Sequence, residues 1–233
     1  MYFDPLYLLI AAPFFILGIW AQFRVKSAYA RGSKIRSRAG LSGGQVARAI
    51  LDRNDMRAVS VEVSEGMLSD HYDPKAKVVR LSRGVYQGTD LAALGIAAHE
   101  VGHAIQDRTN YQMLAVRNAA VPMANIGSQM SWIVFFVGLF LSSSAPFLGK
   151  GIMWAGVGLF AMVVFFQMVN LPVEFDASNR AKAILVSDRF IGEDELPAVK
   201  KVLSAAAMTY VAATLTSVAT LVYFILKAQG DRR

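Results

Sequence analysis

Residues 89–110, TDLAALGIAAHEVGHAIQDRTN, read as a single helix. Thr89 or Asp90 suits its N-cap, and Leu91, Leu94, Ala98, Val101 and Ile105 recur at spacings of three and four, the stripe by which a helix faces a core. Asp90 stands at one end and Asp107 and Arg108 at the other, so the helix, expected over residues 90–106, is too short and too polar at its ends to cross a bilayer, which takes about 20 apolar residues. This segment therefore belongs to a folded part outside the hydrocarbon core. That decides the architecture, because much of the remaining chain is apolar.

Of 233 residues, 55% are hydrophobic and 18% charged, with a mean hydropathy of +0.39, too apolar for an ordinary soluble domain. Four runs free of Asp, Glu, Lys and Arg, over residues 6–23, 119–149, 151–173 and 202–226, are long enough to span, and we expect transmembrane helices over residues 6–23, 126–146, 149–171 and 202–226. The uncharged run before Lys150 exceeds one span, so its helix should end around Ser142–Pro146. The last run is Ala- and Thr-rich and also fits a buried helix, but its length favours a span. The first lacks a basic leader and a small-residue cleavage site, and so reads as an anchor.

The excess of 24 basic over 17 acidic residues, a formal charge of +7, lies mostly beside the apolar runs. Arg24, Lys26, Arg31, Lys34, Arg36 and Arg38 follow the first span with no acidic residue before Asp52. The positive-inside rule then places the N-terminus outside and residues 24–125 and 172–201 in the cytoplasm. Arg232 and Arg233 in the opposite tail weigh weakly against this orientation. The basic stripe reads as a topology signal and lipid-headgroup contact, so nucleic acid is not expected as a partner.

Within residues 24–125, a helix over 41–57 starts after Ser42 and packs through Leu41, Val46, Ile50 and Leu51. Residues 59–63 alternate as a half-buried strand does. Met67 to Tyr72 form a second strand, Asp73–Pro74–Lys75–Ala76 a turn, and Lys77 to Leu81 a third strand, which together make a small antiparallel sheet with a hairpin before the 90–106 helix. The fold class is thus a mainly α membrane protein with about four transmembrane helices and a small α+β domain.

His99-Glu100-Val101-Gly102-His103 is HExxH. On a helix the two histidines lie one above the other, so both imidazoles can meet one metal, while Glu100 can reach a water bound to it and act as base. The chance of this pattern in a chain of this composition is roughly one in a thousand, so accident is set aside. With no cysteine and three histidines in all, the ligands must come from His, Asp and Glu. A catalytic zinc needs a third protein ligand and an open position. Gln106 and Thr109 stand where the metzincin extension requires Gly and His, which excludes that class. The third ligand is then His71 or a downstream carboxylate. Glu174 is the best candidate, opening the polar segment LPVEFDASNRAKAIL after the third span, with Pro172 suiting a helix start at the membrane surface.

Asp176 lies about 200° round a regular helix from Glu174 and suits contact with a histidine, or solvent, better than the metal. Ser178, four residues on, shares the Glu174 face and is better placed to orient a ligand. His71 and Tyr210 are candidate donors to a developing oxyanion. Arg180 and Arg117 are candidates for holding a substrate carboxylate, with headgroup contact as the alternative.

The segments LSDHYDPKAKVVRLS, AAHEVGHAIQ, LPVEFDASNRA and VLSAAAMTYVAA resemble the bacterial neutral zinc metallopeptidase family of membrane proteins, the YugP-like group, and with the apolar runs the resemblance covers nearly the whole chain. It implies a membrane-embedded zinc endopeptidase of the gluzincin type in the bacterial plasma membrane, with a zincin-like domain, one Zn2+ per chain, His99, His103 and Glu174 as ligands and Glu100 as base. A more distant similarity is to the HtpX and CAAX prenyl protease group of membrane proteases. That group has Asp four residues after the ligand glutamate, where this chain has Ser178. The expected substrate is a peptide or protein, membrane proteins included. A metal site inside the bilayer is disfavoured by the charges that bracket the HExxH helix; the rival reading is a zinc-dependent scaffold or transporter component without turnover, which would have no use for Glu100.

Overall fold

The computed structural model describes residues 4–66 and 69–230, so Met67 and Leu68 of the expected second strand, and Arg232 and Arg233, lie outside the described residues. Its elements run α1 (Pro5–Gly32), α2 (Gly43–Arg53), β1 (Ser60–Ser64), β2 (His71–Asp73), β3 (Val78–Ser82), α3 (Arg83–Gln87), α4 (Leu91–Arg108), α5 (Gln112–Leu141), α6 (Pro146–Ser187) and α7 (Leu196–Gln229). α1, α5, α6 and α7 are long and apolar enough to cross a membrane. This is a mainly α-helical membrane protein with a small β part. The described residues fall into two compact units that share the long helices: a membrane unit holding those up to Trp20, Val116–Leu171 and those from Thr209 on, and a polar unit holding those of Ala21–Ala115 and Pro172–Met208.

In the membrane unit, α5 and α6 approach through glycines. A β-carbon on Gly127 would lie 2.4 Å from the Leu159 carbonyl oxygen, and one on Gly138 would lie 2.5 Å from the Met153 nitrogen. Where lipid is as apolar as leucine, close backbone packing of this kind is what associates helices. Phe135 and Phe224 stack at the centre, with centroids 4.0 Å apart. Asp4 ties the start of α1 to the end of α7 by accepting from Tyr223 and pairing with Lys227 at 2.7 Å.

In the polar unit, Ser42 and Gln45 form a capping box that starts α2, whose Val46, Ile50 and Leu51 are fully buried. The sheet has the order β1-β3-β2. β2 and β3 form the antiparallel hairpin, but β1 pairs with β3 in parallel, so the three-stranded sheet is mixed rather than wholly antiparallel. The reason lies in composition: β3, VVRLS, is the most buried strand and takes the centre, leaving the more polar β1 and β2 as edges. Asp73 closes the turn by accepting from the backbone of Lys75 and Ala76.

Asp90 caps α4 by accepting from the Ala93 amide. The expected stripe is buried, but so are Ala92, Ala93, Ala97, Glu100, Gly102, Ala104 and Gln106. α4 is therefore a central helix enclosed on most sides rather than a one-faced one. Pro172 does not start a helix, contrary to expectation, because α6 runs unbroken from Pro146 to Ser187 with Pro172 inside it. The proline removes one backbone donor, whereas ending the helix in apolar surroundings would free several groups at once. Glu174 is consequently a mid-helix residue.

Candidate metal centre

α4 carries His99 and His103 one turn apart, with ring centroids 4.7 Å apart and planes at 82°. α6 carries Glu174. Gly102 lets the two helices meet: a β-carbon there would lie 2.7 Å from the Ala177 carbonyl oxygen, a backbone atom that cannot move aside cheaply. The wild-type approach brings Glu174 Oε2 to 3.3 Å from His99 Nε2 and 3.7 Å from His103 Nε2, with the glutamate side chain 5% exposed. One ligand atom from each of His99, His103 and Glu174 lies within 4.8 Å of the others.

This gathering has the size of a metal site. With ligand bonds of 2.0–2.2 Å, a tetrahedral zinc separates neighbouring ligand atoms by about 3.4 Å. Glu174 Oε2 is also buried without a hydrogen-bond partner among the described residues, and a buried carboxylate oxygen left so is costly unless a cation meets it. The three residues fit a divalent ion of the zinc type by donor chemistry, spacing and this orphaned atom.

Electrostatics sort the carboxylates. Burial pushes the Glu100 carboxyl up, against an opposing pull from His99 and His103, and nearby Glu174 and Asp70 add to the rise. Burial would raise Glu174 too, but the His103 and His99 imidazoles outweigh it and hold that carboxyl well below the usual range. Burial works to lower His103, and Glu174 with Glu100 outweighs it, so this imidazole is raised.

Ser178 Oγ lies 3.2 Å from His99 Nδ1. Asp176 Oδ2 accepts from Gln106 Nε2 at 2.8 Å and from Arg180 Nε at 2.6 Å, and among the described residues it has no hydrogen bond to either histidine. Arg180 is thus engaged with Asp176, its guanidinium 5.8 Å from the Tyr111 ring centroid. Arg117 donates to Asn170 and Asn118 in the membrane unit. His71 stands outside the gathering, exposed on the edge strand β2, with Nδ1 2.8 Å from the Ser69 carbonyl oxygen. Tyr210 belongs to the membrane unit, and its carbonyl accepts from Thr214.

Sequence reasoning missed Gln106. In sequence this residue stands out only as a departure from glycine, yet Gln106 is fully buried, with Oε1 3.0 Å from His103 Nδ1. Its spacing of three from His103 on one helix was the available signal.

A family model described as "Putative neutral zinc metallopeptidase" matches residues 7–229. A Bacillus subtilis (strain 168) protein described as "Putative membrane protease YugP" is 46% identical over 210 residues, covering 90% of this chain and 91% of that protein. No solved structure matches the chain.

Proposed function

The chain belongs to this neutral zinc metallopeptidase family of membrane proteins, and from that premise we propose that it is a membrane-embedded endopeptidase hydrolysing peptide bonds with one Zn2+ per chain. The observation that carries the reading is the meeting of two imidazole nitrogens with an orphaned buried carboxylate oxygen beside a second carboxylate of raised pKa. His99, His103 and Glu174 would hold the ion. Zinc held there supplies Lewis acidity and a water acidic near neutral pH. Glu100 takes a proton from the attacking water and returns it to the leaving amine, a task that a carboxylate raised toward neutrality suits. Ser178 orients His99 from the far side of the ring.

The substrate is a peptide or protein, membrane proteins included. Among the described residues β2 has a neighbouring strand on one side only, and an extended peptide would add along its other edge, with backbone hydrogen bonds giving affinity. His71, exposed on that strand, is the candidate there for contact with substrate or the developing oxyanion; Tyr210 is the other oxyanion candidate. The basic residues after Phe23 support a cytoplasmic placement of the polar unit, with the N-terminus outside and the bilayer as constant partner.

The test is zinc stoichiometry of the purified full chain for wild type, Glu174→Ala and His71→Ala, together with cleavage of an unfolded model polypeptide. We expect one zinc in wild type and in His71→Ala, and loss in Glu174→Ala. Loss in His71→Ala alone would overturn the ligand set. A wild type that keeps zinc and cleaves no polypeptide offered would favour the scaffold reading.

A further inference from the structure

We infer that Gln106, buried between α4 and α6, is the positioning residue that locks His103 into one tautomer and ring orientation, and that Asp176 acts on the site through it. The inference rests on the zinc reading above and extends it to residues outside the ligand set.

An amide side chain has two N–H donors on nitrogen and only acceptor capacity on oxygen. Gln106 Nε2 faces two acceptors at 2.8 Å, the Val173 carbonyl oxygen and Asp176 Oδ2. Both donors are thereby used. Turning the amide over would set Oε1 against a carbonyl and a carboxylate, three acceptors together in a place without solvent, since Gln106 is fully buried. Oε1 must therefore be the atom facing His103 Nδ1 at 3.0 Å, and because it can only accept, Nδ1 must carry the hydrogen. The lone pair is left on Nε2, the nitrogen that faces Glu174. Arg180 holds Asp176 in turn. The chain Arg180–Asp176–Gln106–His103 relays a carboxylate's orienting effect through a neutral amide, where a direct carboxylate contact would set another negative charge beside Glu174 and Glu100.

His99 is held differently. The Ser178 hydroxyl at its Nδ1 can donate or accept, so it orients the ring without dictating the tautomer. The two histidines are unequal in how firmly they are set.

The experiment measures the zinc dissociation constant of the purified full chain by competition with a chromogenic chelator, and the thermal unfolding of the metal-free protein, for wild type, Gln106→Met, Asp176→Ala and the double variant. An orienting contact of this kind is worth about 10–100-fold in metal affinity. We expect Gln106→Met to weaken zinc binding by about that factor, Asp176→Ala by less, and Asp176→Ala to add nothing further in the Gln106→Met background. Wild-type affinity in Gln106→Met, or full additivity of the two losses, would overturn the relay, since a merely structural role would lower the melting temperature of the metal-free form without this coupling. If Gln106→Met does not fold, unchanged affinity in Asp176→Ala overturns it equally. A wild type that binds no zinc sinks the zinc reading itself, an outcome distinct from either.

Discussion

The membrane unit and the polar unit use one device, a glycine that lets two helix backbones come close, to different ends. At Gly127 a β-carbon would meet the Leu159 carbonyl oxygen at 2.4 Å, and that unit's core is a stack of Phe135 and Phe224. At Gly102 it would meet the Ala177 carbonyl oxygen at 2.7 Å, and around that contact lie two histidines, two glutamates and a buried glutamine. Apolar rings brought close need nothing further. Charged and polar groups brought close are each a cost until partnered, so the polar unit surrounds its contact with hydrogen bonds, and among the described residues Glu174 Oε2 is left without one.

The largest expected effect tests whether that accumulation of polar groups is chemical in purpose. Glu100→Gln keeps the shape and removes the base, so cleavage should fall by about 10²–10⁴-fold while zinc stoichiometry is unchanged. The same change should raise the melting temperature of the metal-free protein. Glu100 is raised by burial, so at neutral pH its ionised form costs the native state something that the unfolded chain does not bear, and a neutral amide removes that cost. A Glu100→Gln protein that is both active and no more stable would break the comparison at this residue, making Glu100 neither the base nor a buried cost to the fold.

Next in size is a matched pair. Gly102→Ala and Gly127→Ala each force a methyl against a backbone carbonyl, an overpacking that costs about 1–3 kcal/mol. Both should lower the melting temperature. Only Gly102→Ala should also weaken zinc binding, by tenfold or more, since each 1.4 kcal/mol is about a factor of ten and the displaced α6 carries Glu174. Chelator competition on both variants checks this. Equal zinc affinities would show that the Gly102 contact does not set the ligand spacing.

What was legible in the sequence follows the range of the interactions. HExxH is local, so the meeting of His99 and His103 needed only the helical repeat, and the capped ends of α2 and α4 were equally local. The four apolar runs were legible because a bilayer imposes a length. The parallel pairing of β1 was not, because it depends on β3 entering between β1 and β2, a choice made by burial across the whole sheet rather than by the alternation within any strand. Pro172 misled because a proline weighs against a helix interior in water, and the counterweight, continuity of a 42-residue helix, lies in its surroundings. Glu174 was reached by its place after a span and by family resemblance. Gln106 was within reach of the same helical repeat that found the histidines, but its partners Val173 and Asp176 lie on another helix and gave it no meaning until the two were packed together.

The smallest effect sharpens the comparison at the level of a single hydroxyl. Ser131 in the membrane unit is fully buried, and its Oγ has no hydrogen-bond partner among the described residues; Ser178 in the polar unit is almost as buried, and its Oγ meets His99 Nδ1. Replacing an unpartnered buried hydroxyl by a methyl group removes a desolvated dipole and no bond, so Ser131→Ala should leave zinc affinity unchanged and the melting temperature the same or slightly higher. Ser178→Ala removes an orienting contact worth about 0.5–1.5 kcal/mol, so zinc should bind about 2- to 10-fold more weakly. The loss should stay below that of Gln106→Met, because a hydroxyl that can donate or accept leaves the His99 tautomer free, whereas the pinned amide fixes that of His103. Equal losses at Ser178 and Gln106 would mean that the two imidazoles are held alike, and that a fixed tautomer adds nothing to an oriented ring.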